Sequence, residues 1–248
     1  MYSLNEYGQA ETFQEIQPWG SSSYTIIPGT HISFQTVKQY VDIFTNPFYE
    51  RMLFLDGVLQ STSSDEHIYH EALVSFGFPT ECSKPCRFLV AGGSEGACIR
   101  EILGSACPVK EIVMVDWDKE LVEHMRTESF HQGGLMSPLV RYVFQDITKF
   151  MSADTGLYDS IILDLLDPES PGDVQCLLEL VTIALPRLAP GASIVMNAGG
   201  CHKTLTAIQS KLYEMNTGIT VTSRPVYVPS FQEMWYILCV RPGSKCVV

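Results

Sequence analysis

Phe88 to Glu101 reads FLVAGGSEGACIRE. The apolar run from Phe88 to Ala91 has the character of a buried strand, and it opens into a glycine turn that leads into a helix-like stretch. In such a turn, missing side chains let the backbone come close to a ligand, and the amide groups of the helix start face it. Gly92, Gly93 and Gly96 supply the glycines, but the full G-x-G-x-x-G spacing is absent. The turn alone points to a nucleoside without naming one. Its unusual member is Glu95, an acid in the middle of the loop.

Outward from this stretch the chain has two regimes. From Arg87 onward, apolar strand candidates alternate with helical segments: Phe88 to Ala91, Glu111 to Val115, Arg141 to Phe144, Ser160 to Leu163, Ala192 to Asn197, Val221 to Val226 and Met234 to Val240. Alternation of this kind predicts an α/β fold, a mostly parallel, doubly wound sheet with helices on both faces. Up to about Gly77 the pattern is β-rich instead, with runs at Ser23 to Ile27, Thr36 to Phe44, Arg51 to Leu55 and Val58 to Gln60. Asp56-Gly57 is a hairpin signal between the last two. The expected organisation is a small N-terminal β-hairpin domain over residues 1–78 and a Rossmann-like domain over 79–248.

Composition narrows the function classes. Sixteen basic against 28 acidic residues give a net charge of -12, which disfavours a nucleic-acid partner and suits a cationic one. Met1 to Ala10 has no basic region followed by an apolar run, and no stretch approaches the length of a membrane span. The chain reads as soluble, unsecreted and cytoplasmic. Eight cysteines are scattered through strand-like and helix-like segments, so reduced thiols are expected. Cys82 and Cys86 lack a second pair at zinc spacing, and no metal site is expected.

The ends of successive strands carry the polar residues. Glu95 follows the first, Asp116 and Asp118 the second, Gln145 and Asp146 the third, Asp164 and Asp167 the fourth, and Asn197 the fifth. In an open α/β sheet the ligand crevice lies outside those carboxyl ends, so these side chains are expected to converge. Asp116 stands some 20 residues past the turn, where a carboxylate accepts from the ribose hydroxyls of an adenosine. Asp146 is placed to accept from the exocyclic amine of an adenine. Asp118 precedes a helix and reads better as its cap. Pro168 biases Asp167 to an extended or turn conformation, which leaves Asp164 and Asp167 facing the crevice together.

The acid in the turn selects among nucleosides. In S-adenosylmethionine (SAM) enzymes of the methyltransferase-type sheet, the glycine turn faces the amino-acid tail of the cofactor, whose carboxylate Glu95 would repel. A tail ending in an ammonium is attracted, as in decarboxylated SAM. Two carboxylates at Asp164 and Asp167 suit an acceptor with ammonium groups. Attack on the carbon beside the sulfonium needs a neutral amine, yet an alkylamine has a pKa of about 10.4. Asp164 is the candidate proton acceptor, with positioning and a negative pocket supplying much of the acceleration.

LFLDGVLQSTSSDEHIYHEAL, Leu53 to Leu73, contains LDG-x-x-Q followed by DE-x-x-YHE; AGGSEG, VDWD, QDI, YDSIILDLLDP and NAGG come after it. In this order, over roughly Phe34 to Val240, the chain resembles the aminopropyltransferases, the spermidine, spermine and thermospermine synthases. The acid-bearing turn and NAGG look most like the thermospermine branch. The resemblance implies a transferase that uses decarboxylated SAM as co-substrate, with no permanently bound cofactor, and moves an aminopropyl group to putrescine or spermidine. It also implies a homodimer joined partly through the N-terminal β region.

By the same resemblance Glu95 holds the donor's ammonium, Asp116 the ribose and Asp146 the adenine, while Gln39, Gly92 and Gly93 contact the donor. Asp164 matches the catalytic aspartate and Asp167 sits beside the acceptor amine. Gln60, Tyr69 and His70 line the meeting point of donor and acceptor, Tyr69 orienting the attacking nitrogen. The chain departs from the family pattern at Ser94 and Gln145, where glycine is usual, and at Trp235, where many members have glycine; Tyr227 is displaced from an expected acceptor-site tyrosine. Three other readings remain: a SAM-dependent amine N-methyltransferase, a catalytically inactive binding relative, and a dinucleotide oxidoreductase, which the incomplete glycine fingerprint disfavours.

Overall fold

The structure, a computed structural model, describes residues 11–18, 20–128, 132–215 and 218–243. Met1 to Ala10, read above for a leader, lies outside the described residues. The chain divides into two units, Met1–His67 with Val228–Gln232, and Ile68–Tyr227 with Glu233–Val248. The expected boundary at 78 and this division differ by a helix, α1 (Glu66–Phe76), most of which belongs to the second unit.

In the first unit β1 (Thr12–Gln17) and β2 (Gly20–Thr25) form an antiparallel pair. A four-stranded meander follows: β3 (Ile32–Gln35), β4 (Tyr40–Asn46), β5 (Glu50–Leu55) and β6 (Val58–Thr62). Asp56 and Gly57 take φ values of 49° and 82°, the twist of a two-residue hairpin loop that matches its strands. The run Thr36 to Phe44, read as one strand, opens with a turn over residues 36–39, and the strand begins only at Tyr40. Thr36 breaks it, its hydroxyl accepting from the backbone N–H groups of Lys38 and Gln39, both at 3.0 Å.

Tyr24, Phe44, Met52, Phe54 and Leu59 form the core of this unit, with the Phe44 and Phe54 rings stacked at 5.2 Å. Buried Glu15 is satisfied by the Tyr24 hydroxyl at 2.8 Å and the Leu59 N–H at 2.9 Å. The signature acid Asp65 has a structural duty. It accepts from Thr62 Oγ1 at 2.7 Å and from the amide and hydroxyl of Ser230 at 2.7 and 2.8 Å, pinning residues 228–232 to this unit.

The second unit is the expected α/β layer. Its strands are β7 (Cys86–Gly92), β8 (Val109–Asp116), β9 (Val140–Phe144), β10 (Tyr158–Asp164), β11 (Leu188–Asn197), β12 (Ile219–Val228) and β13 (Glu233–Pro242). Between them run α2 (Ala97–Gly104), α3 (Lys119–Met125), α4 (Gln132–Leu135), α5 (Ile147–Ala153), α6 (Pro171–Ala184) and α7 (His202–Met215). The sheet order is β12-β13-β11-β10-β7-β8-β9. β7 to β11 are mutually parallel, and β13 runs antiparallel to β11.

Strand periodicity divides the core. Leu89, Ala91, Val113, Val115, Ile161, Leu163, Ile194 and Met196 pack against the buried faces of α5, α6 and α7. Phe88, Val90, Ile112, Met114, Ile162 and Val195 alternate with them and are equally buried on the opposite side. Chain progression goes one way from β7 to β8 and β9, then returns to β10 and β11. The reversal lies between β7 and β10, where an open sheet leaves its crevice at the carboxyl ends.

Candidate active site

Backbone geometry sets up the crevice first. Gly92, Gly93 and Gly96 have φ of 81°, 72° and 88°, values costly for any residue with a Cβ. A Cβ at Gly92 would overlap the Asp164 carbonyl, so the glycine allows β7 and β10 to close together at their ends. A Cβ at Gly93 would lie 3.8 Å from Asp164 Oδ2, and one at Gly96 would collide with Leu135. The loop therefore carries Glu95 back over the end of β10 and starts α2 at Ala97.

Four of the expected residues are linked there directly. The Tyr69 hydroxyl donates to Asp164 Oδ1 at 2.8 Å. His70 Nε2 lies 3.1 Å from Glu95 Oε1 and 3.8 Å from Asp164 Oδ2, bridging the two acids. Tyr69 and His70 are adjacent on α1, their rings edge to face at 5.0 Å, while Trp235 of β13 meets the Tyr69 ring at 6.4 Å. Cys98, in the first turn of α2, points its Sγ at Asp164 Oδ2 across 3.6 Å.

Asp167 follows on the loop after β10. Its Oδ1 accepts from Asn197 Nδ2 at 2.6 Å, and Asn197 in turn uses its Oδ1 to hold the Gly199 N–H at 2.8 Å. Asp167 is exposed to solvent, yet protein atoms crowd round its carboxylate. That crowding raises its carboxyl to about 6, the charges of Asp164, Glu169 and Glu233 adding to the effect and the Asn197 amide opposing it.

Asp164 is also pushed up, by burial first and by the Glu95 charge, against the lowering influence of His70, Tyr69 and Cys98. Burial and the Asp164 charge hold the Tyr69 hydroxyl well above its ordinary value, so it stays a neutral donor. Asp116, buried at the end of β8, is raised to about 6 chiefly by desolvation, with Asp118 and Glu95 contributing. One of its oxygens takes the Asp118 N–H at 2.8 Å. Asp118 caps α3 through the Leu121 N–H at 3.1 Å, as its position before a helix suggested.

The other expected residues sit elsewhere or do other work. Asp146 caps α5, accepting from the amides of Thr148 and Lys149 at 2.9 and 3.2 Å and from the Thr148 hydroxyl, and these bonds hold its carboxyl below the usual range. Gln39 and Gln60 belong to the first unit, Gln39 in the turn before β4 and Gln60 on β6, where its amide donates to the Val58 carbonyl at 3.2 Å. Sequence reasoning missed Cys98 and Glu233. A Cβ on Gly200 would come within 2.9 Å of the Glu233 carboxylate, which puts that acid against the loop after β11, and burial raises it. For Cys98 the signal was available in its place one turn past the acid; for Glu233 no local pattern marks it.

The strand order and the acid-lined reversal define a class, the Rossmann-like α/β proteins with a methyltransferase-type sheet. Residues 66–246 match the Spermine/spermidine synthase domain. The chain belongs to the spermine/spermidine synthase family. It is 33% identical over 205 residues to polyamine aminopropyltransferase 2 of Pseudomonas aeruginosa, covering 77% of this chain and 56% of that one. With polyamine aminopropyltransferase 1 of Hyperthermus butylicus the identity is 33%, over 93% of this chain and 78% of the relative. The chain spans 56%, 62% and 60% of the length of three curated relatives it matches, thus less than two thirds of each. Among solved structures it superposes on a spermidine synthase in complex with the transition-state analogue AdoDATO, with TM-score 0.82 and 19% identity over 96% of this chain and 82% of that one. Spermidine synthase from Thermotoga maritima gives TM-score 0.77 and 18% identity over 93% and 80%. The expected fold class is the one found.

Proposed function

We propose that this protein transfers an aminopropyl group from decarboxylated SAM to a diamine or triamine, releasing methylthioadenosine. The carrying observation is the set of linked acids at the ends of β7 and β10: Glu95, Asp164 and Asp167, with His70 between the first two. A carboxylate in the glycine turn favours a donor tail that ends in an ammonium over one that also carries a carboxylate. Asp116 accepts from the ribose with its remaining lone pairs, and Gly92 and Gly93 let the loop backbone approach the nucleoside. Asp146 meets the adenine side, using the oxygen that does not cap α5. Gln39, Gln60 and His70 complete the donor contacts, as the family resemblance implies.

In the reaction the acceptor ammonium first gives a proton to Asp164, whose raised pKa makes it a better base than an ordinary aspartate. The freed lone pair attacks the aminopropyl carbon bound to sulfur. A C–N bond forms, the C–S bond breaks, and its electron pair returns to sulfur, leaving a neutral thioether. Tyr69 keeps Asp164 aimed through its 2.8 Å hydrogen bond, and Asp167 holds the acceptor's ammonium. These three are the proposed catalytic and acceptor residues.

Putrescine and spermidine are the proposed acceptors, with a thermospermine-type product for the latter on the strength of the acid-bearing turn. The seven described cysteines are all free thiols, which supports a reducing, cytoplasmic setting; no described helix is long and apolar enough to cross a membrane. A homodimer through the first unit is favoured by the large apolar side chains exposed there, Ile16, Val37 and Phe48 at 78%, 82% and 81%. The test is incubation with decarboxylated SAM and each amine, reading products by mass. Methylthioadenosine formed with decarboxylated SAM and not with SAM supports the reading; methylated amine formed from SAM would replace it with the methyltransferase alternative.

A further inference from the structure

At the other end of the same sheet three cysteines meet. Cys82 lies on the loop entering β7, Cys86 is the first residue of that strand, and Cys107 sits between α2 and β8, and their sulfur atoms are all within 4.8 Å of one another. Chain spacing shows only Cys82 and Cys86; the third thiol arrives through the fold. A backbone hydrogen bond from the Cys86 N–H to the Pro108 carbonyl at 2.8 Å fastens the two loops together, and β7 and β8 pair from Cys86 and Val109 onward. Ser105 Oγ accepts from the Cys107 N–H at 3.2 Å and fixes the approach of the second loop. Cys86 and Cys107 are buried and Cys82 is half-buried, so two sulfurs are preorganised and the third sits where an ion can enter.

We propose that Cys82, Cys86 and Cys107 bind one Cu(I) ion through their three sulfurs, at a site separate from the acidic crevice. Three sulfurs clustered this closely suit a soft d10 cation. Among the described residues the group holds no fourth histidine, cysteine or carboxylate, whereas a structural zinc ion takes four ligands. Trigonal coordination by thiolates is therefore the better match. Cys86 donates its thiol hydrogen to the Lys84 carbonyl at 3.3 Å, and that proton leaves when the sulfur ligates. The ion would tie the loop before β7 to the loop before β8, bracing the strand that delivers the glycine turn.

The test uses the reduced full-length protein under anaerobic conditions, titrated with Cu(I) against a chromophoric Cu(I) chelator and, in a separate arm, with Zn(II) against a zinc chelator. Expected are one equivalent of Cu(I), a thiolate-to-copper charge-transfer band in the ultraviolet, and a rise in Tm on loading. Cys82→Ser removes a half-buried loop ligand with little risk to the fold. It should weaken Cu(I) by at least about tenfold, since even indirect supporting groups of metal sites are worth 10–100-fold, and should remove the Tm rise. Cys201→Ser, an exposed thiol outside the cluster, should change neither. Equal Cu(I) affinity in the wild type and Cys82→Ser overturns the proposal. So does tighter binding of Zn(II) than Cu(I), or a mass two hydrogens lighter in protein purified without reductant and free of metal, which would make the cluster a disulfide site. None of these readouts depends on aminopropyl transfer.

Discussion

The two ends of the parallel sheet use carboxylates in opposite ways. At the amino end Glu111 of β8 stands between Arg87 of β7 and Arg141 of β9, at 2.7 and 2.9 Å, and these guanidinium groups hold its carboxyl below the usual range. At the carboxyl end Asp116, Asp164 and Asp167 are all raised, and His70 lies between Glu95 and Asp164. Acids that serve the fold have their cations built in. Acids held above their ordinary pKa by burial and by each other are poised for a cation that comes from outside, which is the physical basis of the proposed amine site.

The strongest way to break this contrast is to remove the central raised acid. Asp164→Asn should lower turnover by roughly 10²-fold or more, the scale for a positioned base, with donor affinity nearly unchanged. Single-turnover rates and equilibrium donor binding would check it. Wild-type turnover by the variant would assign proton acceptance to Asp167 or to water. Next comes Glu95→Gln, which should cut the preference for decarboxylated SAM over SAM by about 1.5 to 3 kcal/mol, the range for a hydrogen bond to a charged group. The ratio of the two dissociation constants is the measurement. An unchanged ratio would detach Glu95 from the donor tail.

A subtler probe sharpens the claim that the site awaits a cation. If Asp167 titrates near 6 when empty, an ammonium beside it should lower that value and expel a proton. Amine binding near pH 6 should then release up to about half a proton, read by calorimetry in buffers of different ionisation heat. Asp167→Asn should reduce the release to what Asp164, also raised, gives up, while Asp146→Asn, at an acid whose carboxyl is held down by its own helix cap, should leave it intact.

How much of this was legible beforehand follows from where the information lies. Apolar runs located all seven strands of the large sheet; the central β7, β8, β10 and β11 are buried on both faces and read as continuous hydrophobicity, whereas the edge strands β9 and β12 are partly exposed. The break at Thr36 was hidden, since it rests on one hydroxyl folding back on two amides and leaves the β-rich composition intact. Site acids were visible as the polar residues at strand ends. Their partners were not, because the bonds from Tyr69 to Asp164, His70 to Glu95 and Asn197 to Asp167 span between 25 and 95 residues and depend on helix and strand placement. Asp146 shows the converse limit: a strand-end acid reads the same whether it faces a ligand or caps a helix, and here it caps one.

The contrast can also be tested on stability alone, where the two ends should respond to pH with opposite sign. Asp116 has a folded-state value near 6, above its unfolded value, so the folded state binds the extra proton. Its contribution is fully present below about pH 4 and is lost as pH rises through about 6. Asp116→Asn keeps an oxygen for the Asp118 N–H and removes that loss, so relative to wild type it should gain up to about 3 kcal/mol between pH 4 and pH 8, two pKa units' worth. Glu111 runs the other way. Its folded value is depressed, so its contribution is present above the unfolded value and fades as pH falls through the folded one. Glu111→Gln should cost only about 0.5 to 1 kcal/mol at pH 8, because the pair is partly exposed, and less at pH 3. Thermal melts of both variants across pH 3 to 8 would show the curves diverging from wild type in opposite directions; parallel shifts would mean that the two ends of the sheet differ in position but not in electrostatic design.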